Sequence, residues 1–292
     1  MIKLEPEHYD KVIESLKNVT INTLFAKSVI HRQIPGSVYV DSDIEPKAFY
    51  IAHPYGMSLL FGDTDNESFN RDLFRYLINK DKAKNKSEWL QVFPSAWSAK
   101  IETNLGPYFI KKDPIDKNEV LKPNANTKIV ENTRVNFIFD HNEYKKATIH
   151  LNRQEYVIVR TTKEMFRDIQ GSVIPKYFWK DENEFQNAGV GYSLMCDGEI
   201  ASTAFSAYRL ENQLEIGIET MEKYKGKGFA LQVCSAIIDY CLENGLEPVW
   251  GCRMENTASY QLAQRLGFVP SLFISYYQLL GVVPAFVSPS AK

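Results

Sequence analysis

The 292-residue chain has no apolar run near the roughly 20 residues that a membrane-spanning helix needs. Its first ten residues carry Glu5, Glu7 and Asp10 and no apolar core, so no secretory leader is expected there. Cysteine is scarce. Cys196, Cys234, Cys241 and Cys252 form no Cys-x-x-Cys pair and are too few for a disulfide framework in a chain this long. They read as free packing thiols in a reducing compartment, and the expected location is cytoplasmic. The five histidines, His8, His31, His53, His141 and His150, are scattered without metal-ligand spacing, so no metal is expected. The net charge is −2, and the densest basic run, Lys80–Lys86, is broken by Asp81 and Asn85. No nucleic-acid partner is therefore expected. A Walker A motif is absent, and so is the third glycine of a dinucleotide fingerprint.

What remains is ordinary globular material, 44% apolar and 24% charged, enough for a sizeable core. Its length suits two domains, and the boundary is placed near residue 150. In 151–292, Val157–Thr161 is β-rich and Thr162–Ile169 and Asp181–Ala188 are helical. Val190–Cys196 and Glu199–Tyr208 form a hairpin about Asp197-Gly198, and Gln213–Thr220 is a further strand. Phe229–Asn244 has helical apolar spacing, Pro248–Cys252 is a brief strand, Asn256–Leu266 is a helix capped by Asn256, and Phe268–Leu280 returns to strand. In 1–150 a similar order occurs. Helical Pro6–Ile30 precedes strands Ser37–Asp41, Lys47–His53 and Ser58–Gly62. Helix Glu67–Asn79, strand Trp89–Phe93, helix Ser95–Leu105 and strand-like Thr133–Asp140 and Ala147–Leu151 follow. Lys111–Lys128 reads as a loop and Gly281–Lys292 as a loosely docked tail. The expected class is mixed α/β, and the shared order points to an internal duplication.

The informative run is Leu214–Ala230, in which a strand gives way to Lys223-Tyr224-Lys225-Gly226-Lys227-Gly228 and then to the helix beginning Phe229-Ala230. Backbone amides converge on the positive end of a helix dipole, a setting that binds phosphate. Gly226 and Gly228 let the backbone approach a pyrophosphate closely, and three lysines add charge. A basic turn with glycines for a tight bend would look the same in isolation.

Lys223, Gly226 and Gly228 together with Asn256 and Leu266-Gly267-Phe268 resemble the GCN5-related N-acetyltransferase (GNAT) family over roughly residues 155–280. Trp250, Cys252, Ser259 and Leu262-Ala263 look like the subgroup that includes zwittermicin-type self-resistance acetyltransferases. The resemblance implies a C-terminal GNAT fold, with a largely antiparallel sheet flanked by helices, preceded by a smaller α/β domain that reads as a degenerate repeat. It implies acetyl-CoA as co-substrate and a small-molecule amine as acceptor, in a monomer or homodimer. Ile218, Thr220 and Met221 would hold the thioester and pantetheine, Lys223–Ala230 the pyrophosphate, and Asn256 and Ser259 the pantetheine arm.

The attacking amine must lose a proton. Strand alternation puts Glu215, Gly217 and Glu219 on one face and Leu214, Ile216 and Ile218 on the other. Glu219 is the first candidate for the base and Glu215 the second; solvated surface carboxylates are the plain alternative. Where the family carries a general-acid tyrosine, this chain has Ala263, which leaves Tyr260 or Ser259 as candidates. Tyr177, Phe178 and Trp179 form either core or an acceptor wall. The turn Asp63–Ser68 is acidic and lacks paired glycines, so one cofactor per chain is expected. A non-catalytic acyl-CoA-binding protein and a peptide or protein N-acetyltransferase remain the competing readings.

Overall fold

The computed structural model describes residues 1–81, 84, 86–111, 126–149 and 157–281. The proposed boundary near 150, most of the 111–128 loop and the 282–292 tail lie outside them.

The first strands are β1 (Ile2–Leu4), β2 (Ser37–Val40), β3 (Ala48–Ala52) and β4 (Met57–Gly62). Between β1 and β2 the expected single helix is two, α1 (Asp10–Lys17) and α2 (Leu24–Ile30). The break has a local cause: Val19, Thr20 and Ile21 are β-branched, and Asn22 turns its side chain back to accept from the Leu24 amide at 3.0 Å. Helix α3 (Glu67–Leu77) is capped by Asn66, and β5 (Glu88–Phe93) and α4 (Ala96–Leu105) follow. Next come β6 (Phe109–Lys111), β7 (Ile129–Phe139) and α5 (His141–Thr148). The strand expected at Ala147 is thus helical as far as Thr148. Asp140 caps the helix by accepting from the Asn142 and Glu143 amides at 2.8 and 3.0 Å, and that cap outweighs the β-branched Thr148 and Ile149.

The second half runs β8 (Val157–Arg160), α6 (Lys163–Asp168), α7 (Glu182–Ala188), β9 (Gly191–Cys196), β10 (Glu199–Leu210) and β11 (Gln213–Thr220). It continues with α8 (Phe229–Glu243), β12 (Glu247–Val249), β13 (Gly251–Arg253), α9 (Thr257–Arg265) and β14 (Phe268–Leu279). The fold is mixed α/β, with helices flanking two mixed sheets.

The strand order crosses residue 150 in both directions. One sheet runs β1-β2-β3-β4-β5-β14-β7-β13, with β6 beside β7, and the other runs β12-β11-β10-β9-β8. Strand β14, near the end of the chain, inserts between β5 and β7, antiparallel to both. Strand β7 in turn pairs with β13 of the second half. The strand expected over Pro248–Cys252 extends to 247–253 and divides at Trp250. Its first three residues pair with β11 in one sheet and its last three with β7 in the other. One apolar core also spans the halves, joining Phe25, Val29, Phe49 and Phe61 to Phe178, Phe205 and Tyr208.

Candidate active site

The division at Trp250 opens a gap. Strand β12 runs parallel to β11 from Gln213 to Glu215 and no further. On the other edge of β11 the Met221 amide donates to the Ala201 carbonyl at 3.0 Å. The register holds from Ser202↔Thr220 to Ser206↔Ile216. Antiparallel alternation therefore turns the amides of Ile218 and Thr220 away from β10, toward the gap. Of the three amides expected to face a cofactor, that of Met221 is committed to the sheet.

A cavity of about 330 Å³ fills this gap. Glu215 to Ile218 form one wall and Trp250 to Arg253 the opposite one, with Asn256 and Ser259 at the start of α9. The first half supplies Tyr55, Met57 and Trp89, and the exchanged strands supply Arg134 from β7 and Tyr276 from β14. Ser172, Val173 and Phe178 close it.

Glu215 is buried, 5% exposed. It pairs with Arg134 at 3.3 Å and accepts from Asn22 Nδ2 at 2.8 Å. Burial raises its pKa above the ordinary carboxylate value, an effect that Arg134 and Asn22 partly offset. The plain alternative of a solvated carboxylate therefore fails for Glu215, because Asn22 and Arg134 from the first half close over it. Leu214 and Ile216 pack into the core against α8, as the alternation requires.

Glu219 does not line this cavity. Its Oε2 accepts from the amides of Ser172 and Val173, both at 2.8 Å, and from the Ser172 hydroxyl at 3.2 Å. The carboxylate reaches so far under the loop that a Cβ on Gly171 would lie 2.5 Å from it. It anchors the segment that carries Val173 and Phe178 over the cavity.

The glycine loop has room above it. Gly226 and Gly228 adopt φ of 77° and 81°, and a Cβ at either would meet no atom within 4 Å. Left-handed backbone and open space together favour glycine. Gly228 caps α8, whose Leu231 and Gln232 amides return to its carbonyl, so the helix opens directly from the glycine loop. Lys223 pairs with Glu199 at 2.5 Å, Lys225 with Glu222 at 2.6 Å, and Lys227 lies over the Tyr224 ring at 5.0 Å. Tyr224 itself is buried against Phe229.

Asn256 caps α9 by accepting from the Ser259 amide at 3.2 Å, and the Ser259 hydroxyl accepts from Trp250 Nε1 at 3.3 Å. Tyr260 packs on Phe137 with ring centres 5.6 Å apart and does not line the cavity. The aromatic trio divides: Phe178 faces the cavity, Trp179 is buried with its indole donating to Ser206 O at 2.7 Å, and Tyr177 is exposed.

Arg134, Tyr276, Trp89 and Tyr55 carry no signal in the sequence because they come from distant segments, and Arg253, though next to Cys252, stands in no motif that marks it. Tyr276 is buried, stacks on Trp89 at 5.0 Å, and burial pushes its pKa up to about 12. Among the described residues no cluster of histidine, cysteine or carboxylate residues could hold a metal ion. No helix among them is long and apolar enough to cross a membrane.

The profile of the GNAT acetyltransferase family matches residues 14–277. The uncharacterized N-acetyltransferase YdfB of Bacillus subtilis is 28% identical over 246 residues, covering 84% of this chain and 85% of that protein. A GNAT-like protein of known structure from Streptococcus suis superposes with a TM-score of 0.67 at 20% identity, covering 93% of this chain and 99% of that one. A tandem GNAT protein from the clavulanic acid biosynthesis pathway has the same fold, with a TM-score of 0.59 at 11% identity, covering 96% and 97% of the two chains.

Proposed function

Because this chain belongs to the GNAT acetyltransferase family, we propose that it transfers the acetyl group of acetyl-CoA to the amine of a small molecule held in the cavity between β11 and β13. The observation that carries this reading is the early parting of β12 from β11, which leaves the Ile218 and Thr220 amides on an open edge leading to the glycine loop. The loop fits a pyrophosphate, because the space above Gly226 and Gly228 is clear. The amides of Lys227–Ala230 would receive the phosphates, with Lys223, Tyr224 and Lys225 around them, and Asn256 and Ser259 would border the pantetheine arm. Acetyl-CoA supplies a thioester, whose carbon–sulfur bond breaks as the amine nitrogen bonds to the acyl carbon.

Glu215 is the base in this reading. It lines the cavity, and its raised pKa suits it to accept the proton of an alkylammonium acceptor, directly or through a water. Glu219 serves as a positioning residue for the covering loop. Tyr276, a phenol held protonated within the cavity, replaces Tyr260 and Ser259 as candidate donor to the leaving thiolate. The cavity volume of about 330 Å³ suits a small acceptor. An aminated antibiotic or metabolite would suit the resemblance to the zwittermicin-type subgroup.

Titration of acetyl-CoA against thermal unfolding tests the proposal. Ligand at about 100 times its dissociation constant adds about 2.7 kcal/mol of stability, a rise of several degrees. The rise should vanish in Gly226→Glu/Gly228→Glu. No rise at millimolar acetyl-CoA would remove the proposal; a rise without thiol release from any amine would leave a binding protein.

A further inference from the structure

Within that reading, the cavity walls describe the acceptor. Arg134 is 7% exposed and lines the cavity from β7. Its Nη2 meets Glu215 at 3.3 Å, long for a charge-assisted bond, which is usually about 2.7–2.9 Å. Its Nε is buried with no partner. A buried donor left unpaired is destabilising, and a guanidinium cannot escape that cost by deprotonating.

The guanidinium is also held in place. It fills the space above Gly251, where a Cβ would lie 2.7 Å from Nη2, and it sits 5.5 Å from the centre of the Tyr276 ring. At the rim of the same cavity Arg253 stacks on Trp89 at 4.5 Å. Among the described residues no carboxylate lies within ion-pair distance of it. The cavity thus holds two guanidinium groups against the carboxylate of Glu215, and Trp89, Phe178 and Tyr208 give it an aromatic wall.

We propose that the acceptor is an amine that also carries a carboxylate: an amino acid or short peptide with an apolar or aromatic side chain. The carboxylate bonds to Arg134 through the free Nε edge, with Arg253 adding charge at the rim. The side chain lies against Trp89, Phe178 and Tyr208, and the amine points to Glu215. A carboxylate fits better than a phosphate dianion, because Glu215 sits beside the same guanidinium and a second negative charge would be repelled by it.

The test is calorimetric titration of the full chain, with and without saturating coenzyme A. The probes are phenylalanine, tryptophan and alanyl-phenylalanine, each compared with its carboxamide, together with phenethylamine and tryptamine. Carboxylate-bearing probes should bind about tenfold or more tighter than their carboxamides, as expected of a charged hydrogen bond. Arg134→Gln should abolish the preference. Should that variant fail to fold, Arg253→Gln at the half-buried rim should still narrow it severalfold. Equal or tighter binding of the carboxamides, or no binding of any carboxylate probe, overturns the inference. Thiol release measured on the same panel keeps the two readings apart. Turnover of phenethylamine and tryptamine as fast as that of the amino acids would refute the carboxylate and leave the acetyltransferase standing, whereas absence of acetyl-CoA binding would remove only the latter.

Discussion

The two halves place a parallel strand pair at the same point in their order and use it differently. In the first half β4 and β5 stay paired from Met57↔Trp89 to Phe61↔Phe93, so no gap forms. In the second half β11 and β12 part after Glu215↔Val249, and the chain crosses to the other sheet at Trp250. Each half also buries a carboxylate. Glu88 of β5 accepts hydrogen bonds from Tyr50 and Tyr76 and is enclosed by them. Glu215 is left facing a cavity beside Arg134. A zipped strand pair makes a scaffold and a splayed one makes a site, because splayed strands leave backbone amides unpaired inside the fold, where a ligand can reach them.

The sharpest way to break this comparison is to neutralise the two carboxylates. Glu215→Gln should lower kcat by about 10²–10⁴-fold, the usual worth of a general base. Glu88→Gln should leave kcat within about a factor of two while costing about 1–3 kcal/mol in urea unfolding, the price of a disturbed buried hydrogen bond. A large loss of kcat in Glu88→Gln would show that the zipped pair, too, supports the chemistry.

Next in size is the pH response of the contact between the halves. His53 follows β3, and its ring lies 6.2 Å from Phe178 and 5.4 Å from Tyr208 of the second half. Burial lowers its pKa from 6.5 to about 3. The unfolded chain therefore binds a proton that the folded chain refuses, and stability falls as the pH drops from 6.5 toward 3. The slope should reach at most about 1.4 kcal/mol per pH unit in denaturant melts. His53→Gln should flatten it between about pH 6.5 and 5, above the main carboxylate range. An unchanged slope would mean that the ring is not sealed between the halves.

The smallest effect compares two matching helix caps. Asn66 accepts from the Phe69 amide at 3.0 Å at the start of α3, and Asn256 accepts from the Ser259 amide at 3.2 Å at the start of α9. Replacement of either by Ala should cost about 1 kcal/mol of stability. Only Asn256→Ala should also weaken acetyl-CoA binding, read as a smaller thermal shift at fixed ligand. Equal binding by both variants would reduce Asn256 to a cap. One equivalent of coenzyme A at saturation is expected throughout, and a second would show that the zipped pair still opens.

Much of the second half could be read along the chain, because its signals are local. Asp197-Gly198 makes the hairpin, with both residues at positive φ. Asn256 caps its helix by accepting from the Ser259 amide three residues on, and Gly226 and Gly228 announce a backbone that needs glycine. The single N-terminal helix expected from the sequence breaks near Asn22, whose side chain accepts from the Leu24 amide and donates to Glu215. The strand expected at Ala147 lost to the Asp140 cap, seven residues upstream.

The candidate site was harder to read, since its walls meet only through sheet order. Alternation along β11 put Glu215 and Glu219 on one face, but nothing in that pattern tells a carboxylate facing a cavity from one holding down a loop. Residues 129–139 and 268–279 gave clear strand signals, yet their β-rich composition carries no information about which strand lies beside them. Local sequence determined the elements, their caps and the glycine loop, through contacts a few residues apart. Tertiary structure alone decided that β7 and β14 exchange places between the halves, and so brought Arg134 and Tyr276 to Glu215. The reason is that strand neighbours are chosen by backbone hydrogen bonds common to every residue, and by the burial of faces that exist only once both sheets have formed.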